Sequence, residues 1–235
     1  MLGFITSHLW TIAAAVVGVV VAALVAYLRE QVGAGTEWAL APITRQLPWN
    51  QNNTERESDL LSQLTTVDVF LTSTDGKSAR YQKTSNYIVN EDDLNAYQEG
   101  VTSAGGASGF STTQGTIVAT KKEHGFYISQ IYLGDLRQKG SRFTNTYSAD
   151  LHDCFTTDEE HWTQEIAFPT EHFTLQIHFP KGRPPKMVRC KIVEGVTDKV
   201  VRTNAKIVET SGQKSIIWEL ETPKLKDVYK LEWIW

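Results

Sequence analysis

Residues Leu9 to Leu28 (LWTIAAAVVGVVVAALVAYL) form an uninterrupted run of 20 residues without one charged side chain. At about 1.5 Å rise per residue, a helix of this length reaches roughly 30 Å, the thickness of a bilayer's hydrocarbon core. A helix packed on a water-soluble core would carry a polar face, and this run has none, so it is expected to cross a membrane. Trp10 and Tyr27 stand near its ends, where amphipathic rings settle at headgroup depth, and Arg29 and Glu30 close it. A cleavable secretory signal fits less well, because Met1 to His8 holds no Lys or Arg and the apolar run is too long for such a signal's core. Residues 1–30 are therefore read as an N-terminal single-pass anchor that tethers the rest of the chain.

Within the run, Ala14, Gly18, Ala22 and Ala26 recur every fourth residue and form one stripe of small side chains, along which a second helix can approach closely. The expectation is a homo-oligomer paired through this stripe. Arg29 and Arg45 lie beyond the span and no cation precedes it, a bias that places the C-terminal part on the cytoplasmic side of the plasma (inner) membrane. Only Cys154 and Cys190 occur, too few for the disulfide framework of a small secreted domain, although a single bridge between them stays open. Asn52-Asn53-Thr54 matches a glycosylation acceptor, which matters only if this part faces a secretory lumen.

The chain of 235 residues is 41% hydrophobic and 21% charged, so the part beyond the anchor is long enough for one sizeable core. Its formal net charge of −4 argues against general nucleic-acid binding, which needs a basic field, so any anion site must be local. Residues 31–64 read as a juxtamembrane linker. Pro42, Pro48 and the polar run Asn50-Gln51-Asn52-Asn53 interrupt it, and Trp38, Leu40, Ile43, Leu47 and Trp49 suit either the membrane interface or packing on the domain. Leu60, Leu61 and Leu64 share one side of a short helix drawn over Glu55 to Leu64.

After Thr65 the sequence turns to β-branched and aromatic residues in short runs between Gly, Asp, Asn and Pro clusters. Asp75-Gly76 is expected to close a tight type I′ hairpin between Val67–Ser73 and Ser78–Val89. The stretch from Asn90 to Gly115, with Glu91, Asp92, Asp93 and the run SAGGASG, reads as a long exposed loop. Further on, Phe143, Tyr147, Ala149 and Leu151 face one way against Asp150, His152 and Cys154, and Phe173, Leu175, Ile177 and Phe179 oppose Thr174, Gln176 and His178. The same alternation sets Tyr229, Leu231, Trp233 and Trp235 against Lys230, Glu232 and Ile234. About ten or eleven strands with little helix between them point to a mainly β fold, an antiparallel β-sandwich spanning 65–235 as one domain.

No phosphate-binding GxxxxGK[ST] and no HExxH occurs, and Gly106-Ala107-Ser108-Gly109-Phe110 departs from the GxSxG nucleophile elbow because Phe110 replaces the last glycine. The reading is accordingly non-enzymatic, without a cofactor. Asp150, His152 and Cys154 share a strand face, with His161, His172, His178 and Cys190 further on, but their spacing fits no compact zinc motif and no metal is expected. The strongest local anion feature is Lys181-Gly182-Arg183-Pro184-Pro185-Lys186 with Arg189 and Lys191 shortly beyond it, five cations without an acid between them. Gly182 and the two prolines stiffen the loop, and Lys181, Arg183, Lys186 and Arg189 are the candidate contacts to an anionic small molecule or to acidic membrane lipid.

The strand-rich run that includes WTQEIAFPTEHFTLQIHFPKGRPPK and the ending VYKLEWIW resembles the β-rich accessory modules that bacterial signalling and antiviral defence proteins join to variable effector parts, here a membrane span. That resemblance implies a cytoplasmic module that senses a signal and a membrane part that responds, and it supplies no site residue. The expected function is thus a sensor whose domain binds a ligand or protein partner and couples it to helix oligomerisation. The alternative is a constitutive membrane-anchored scaffold that recruits a protein partner.

Overall fold

The computed structural model of the chain describes residues 58–123, 125–194, 197–200 and 205–235. The anchor, its small-residue stripe and most of the linker lie outside these residues, and no helix long and apolar enough to cross a membrane occurs among those described. All described residues fall in one compact unit, Trp49–Trp235.

The fold is mainly β. The described strands are β1 (Leu60–Leu71), β2 (Ser78–Val89), β3 (Leu94–Thr102), β4 (Gly106–Thr112), β5 (Thr116–Glu123), β6 (Phe126–Arg137) and β7 (Arg142–His152). They continue with β8 (Glu159–Glu165), β9 (Thr170–His178), β10 (Met187–Glu194), β11 (Thr197–Val200), β12 (Lys206–Thr210), β13 (Gln213–Glu221) and β14 (Val228–Ile234). They build a seven-stranded sheet in the order β12-β13-β9-β1-β2-β7-β4, a four-stranded sheet β11-β10-β14-β8 and a three-stranded sheet β3-β6-β5.

Period-two alternation decides which face of each strand turns inward. Phe173, Leu175 and Ile177 of β9 are buried, as are Tyr229, Leu231 and Trp233 of β14 and the adjoining Trp235. Rings from different sheets meet in the space between: Tyr81 stacks on Trp162 at 5.5 Å, Phe173 lies 6.3 Å from Tyr229, and Tyr87 meets Tyr97 edge-on at 5.8 Å. Each such pair adds about 0.5–1.5 kcal/mol beyond the area it buries. The seven-stranded sheet is thereby joined to both smaller sheets by one continuous core.

Four features differ from the sequence expectation. Leu60–Leu64 is the start of β1 and not a helix, so the β-domain begins before residue 65. A β-bulge between Ser62 and Leu64 shifts the alternation by one, turning Leu60, Ser62 and Thr65 inward and Leu64 out, and the shifted leucines imitate helical spacing. Residues 90–115 are no loop but carry β3 and β4, whose glycines and inward-facing Glu99 hide the strand pattern. Among the described residues one ladder, β1 with β9, is parallel while the others are antiparallel, a distinction to which residue alternation is blind.

The β1–β2 connection is also longer than a two-residue turn. Gly76 N–H donates to the Ser73 carbonyl at 3.3 Å, which puts Thr74 and Asp75 at the centre of the turn, and only Gly76 among the four has positive φ, at 75°. The turn is pressed against the chain beyond β7: a Cβ on Gly76 would stand 1.5 Å from the Phe155 carbonyl oxygen. Gly76→Ala is therefore expected to cost more than about 2 kcal/mol, since the left-handed backbone alone costs an L-residue about 1–2 kcal/mol and the Phe155 backbone must also move. Urea unfolding of the variant checks this, and an unchanged midpoint would contradict it.

Candidate functional site

The basic segment after β9 does not form a single cluster. Arg183 is turned back onto the protein: Nη1 donates to the Thr74 carbonyl at 3.0 Å, Nη2 to the Thr157 carbonyl at 3.3 Å, and the guanidinium lies 3.9 Å over the Trp235 ring. Pro185 is buried. These contacts lock the loop to the end of the domain and leave the Lys181 and Lys186 side chains exposed. Arg183 is thus the fastener of the loop, and the exposed cations of the loop are Lys181 and Lys186. Arg183→Ala is expected to destabilise the domain by about 1–3 kcal/mol, from two hydrogen bonds made by a charged donor and one cation–π contact. A change below 0.5 kcal/mol in urea unfolding would contradict the fastener role (about the scatter of surface substitutions).

Arg189 and Lys191 lie on β10, on the outer face of the four-stranded sheet. There, with Met187, Glu159, Glu160, His161, Glu232, Trp233 and Ile234, they line a shallow depression of about 330 Å³. Lys191 Nζ donates to Glu232 Oε1 at 2.9 Å and Lys230 reaches the same oxygen at 3.0 Å. Burial pushes the Glu232 carboxyl upward, but hydrogen bonds and charge from Lys191 and Lys230 outweigh it and hold the group below the usual carboxylate range. The lining sets the carboxyl groups of Glu159, Glu160 and Glu232 against Arg189 and Lys191, so the depression is a poor anion trap.

A second cluster lies in the core, where sequence reasoning named nothing. Lys83 of β2 and Glu99 of β3 form an ion pair at 2.8 Å with side chains 9% and 2% exposed. Tyr87 Oη donates to the other Glu99 oxygen at 2.5 Å, and the Lys83 ammonium lies 5.6 Å over the Phe168 ring. Burial, then the Glu99 charge, pushes the Tyr87 and Tyr81 phenols far above their ordinary range, and burial lifts Tyr147 to about 12. All three phenols therefore stay protonated around one carboxylate. Chemically the cluster can fix β3 against β2. The signal was present in parity, since Lys83 shares a face with Tyr81 and Tyr87, and Glu99 with Tyr97 and Val101.

The outer face of the seven-stranded sheet holds the third constellation. His178 Nε2 is 2.8 Å from Asp68 Oδ1, and Nδ1 is 2.9 Å from Ser215 Oγ. Phe70 stacks on the imidazole at 4.3 Å and 8°. Register explains the assembly: Phe70 of β1 and Ser215 of β13 are the direct partners of His178 on β9, and Asp68 stands two residues before Phe70 on the same face. Asp68 and Ser215 are 110 and 37 residues from His178, so no linear motif links them.

The other described histidines and cysteines are dispersed. His152 bonds Ser108 at 2.7 Å, Asp150 pairs with Arg80 at 3.0 Å, Cys154 lies 3.1 Å from Ser103 Oγ, and His172 pairs with Glu221 at 2.6 Å. Cys154 and Cys190 are not joined in a disulfide. Among the described residues, no three His, Cys, Asp or Glu side chains gather to hold a metal ion.

Neither a protein-family model nor a curated protein matches the chain. Solved structures similar to it include an M1 zinc metallopeptidase from Deinococcus radiodurans, at 9% identity and a TM-score of 0.46, with 74% of this chain and 42% of that one covered. Aminopeptidase A from Legionella pneumophila, solved in complex with aspartic acid, is similar at 9% identity and a TM-score of 0.48, with 77% of this chain and 22% of that one covered. The chain thus spans less than half the length of these proteins, and at this level no residue role passes from them to it.

Proposed function

We propose that the chain is a single-pass plasma-membrane sensor. In this reading its C-terminal β-domain, a sandwich on the cytoplasmic side, binds an anionic ligand and through clustering brings the Ala14, Gly18, Ala22 and Ala26 stripes together. Arg29 beyond the charge-free span sets the orientation, and the likeness of the strand-rich part to bacterial signalling and defence modules suits a sensing role. The observation that carries ligand binding is the locked basic loop. Arg183 holds the loop in one place, so Lys181 and Lys186 are presented without the entropy cost of ordering a free loop when an anion arrives.

The test uses Trp235, which lies under Arg183 at the base of the loop. Titration of the protein with inorganic triphosphate is expected to change tryptophan fluorescence saturably, and the Lys181→Ala/Lys186→Ala variant to lose the change. A flat titration, or one that the double variant reproduces, would contradict ligand binding at this end.

A further inference from the structure

We propose that Ser215 is a base-activated nucleophile that accepts an acyl group from a carboxylic ester, or a phosphonyl group from a fluorophosphonate, with His178 as general base and Asp68 as its positioning residue. The three side chains lie together on the outer face of one sheet.

A carboxylate only accepts, so the imidazole Nε2–H donates to Asp68 and the neutral ring is left with its acceptor lone pair on Nδ1. That lone pair faces the Ser215 hydroxyl at 2.9 Å, within reach for proton abstraction. Two contacts hold the ring in this tautomer and plane: Asp68 at one edge and the Phe70 ring stacked on its face. The His178 and Asp68 side chains are each 18% exposed, enclosed by their neighbours yet open to a small reagent. A core histidine satisfied by any nearby polar group needs neither the carboxylate nor the stacked ring. Here the nucleophile, the base and the group that orients the base occur in order.

In the acylation step the Ser215 Oγ–carbonyl bond forms while its proton passes to His178 Nδ1. The ester C–O bond then breaks and the leaving oxygen takes that proton as an alcohol. With a fluorophosphonate the P–F bond breaks instead and fluoride departs. Ser215 pairs with His178 on one side and is bordered on the other by Val208, its partner in β12, so its own backbone is committed to the ladders. Donors for an oxyanion therefore do not come from the strand, and the factor of about 10²–10³ that such donors give is forgone. The general-base factor of about 10²–10⁴ remains, which suits slow acylation of reactive esters rather than rapid turnover.

The full chain in detergent micelles is treated with a biotin-tagged alkyl fluorophosphonate, and adducts are located by peptide mass spectrometry. Ser215 is expected to label, and faster than Ser108, which has a histidine partner in His152 but lacks an equivalent of the Asp68–Phe70 support among the described contacts. His178→Gln is expected to slow labelling of Ser215 by about 100-fold or more. Asp68→Asn, of the same shape, should slow it while leaving the melting temperature unchanged, a separation that a merely structural carboxylate would not give. No adduct on Ser215 in the wild-type protein, labelling no faster than Ser108, or a wild-type rate in either folded variant would overturn the proposal.

Discussion

Glu99→Ala is expected to lower the stability of the β-domain by about 3–5 kcal/mol, because it strands the Lys83 ammonium in the core without a counter-charge. The Tyr87 hydroxyl loses its acceptor in the same step, a further loss of about 1–3 kcal/mol if nothing replaces it. For a domain of this size each kcal/mol shifts the melting temperature by roughly 2–4 °C, so a fall of about 10 °C or more is expected. The ion pair itself is not a source of large net stability, since desolvating both charges offsets much of their attraction. Lys83→Met combined with Glu99→Leu should therefore recover most of the loss. Thermal unfolding followed by circular dichroism distinguishes these outcomes. A single Glu99→Ala variant within 1 kcal/mol of wild type would mean that water reaches Lys83 and that the cluster is not a fixed joint between β2 and β3.

Deleting Trp233 to Trp235 is expected to unfold the domain. Trp233 packs against Phe155 and Phe179, each at 5.6 Å, and Trp235 meets Phe179 at 5.6 Å and carries the Arg183 guanidinium. The segment also supplies backbone bonds that close the sheet: Lys186 N–H donates to the Ile234 carbonyl at 2.7 Å and Trp235 N–H to the Asp158 carbonyl at 3.1 Å. Losing two buried tryptophans at roughly 3–5 kcal/mol each removes about 6–10 kcal/mol, comparable with the whole stability of a typical domain. Near-UV circular dichroism should lose its aromatic signal in the truncated protein. A cooperative melt at the wild-type temperature would show that β14 ends earlier in energetic terms than in geometry.

How much of this the sequence discloses depends on the strand. β9, β14 and the inward face of β7 are legible because a solvated face opposes a buried one, and alternation at period two results directly. Where backbone irregularity intervenes, the pattern misleads: the bulge after Ser62 makes strand leucines resemble a helix face. In β3 a buried Glu99, and just ahead of β4 the close approach of Gly105 to the His152 carbonyl, 2.1 Å from where a Cβ would sit, displace the β-branched residues that announce a strand. The basic segment is conspicuous as a charge run, yet composition is silent on where a guanidinium points, and Arg183 turns inward to carbonyls and a ring. The Asp68–His178–Ser215 row is invisible in one dimension because the register of three strands, one pair of them parallel, creates it.

The central claim, a membrane-inserted chain that self-associates through its helix, is tested most directly by cross-linking the full-length protein in isolated membranes after alkaline carbonate washing. The account predicts that the wild-type chain stays with the washed membranes and cross-links above the monomer, while Gly18→Ile stays with the membranes as a monomer. Release of the wild-type chain into the carbonate supernatant, or equal cross-linking of the two proteins, would contradict it.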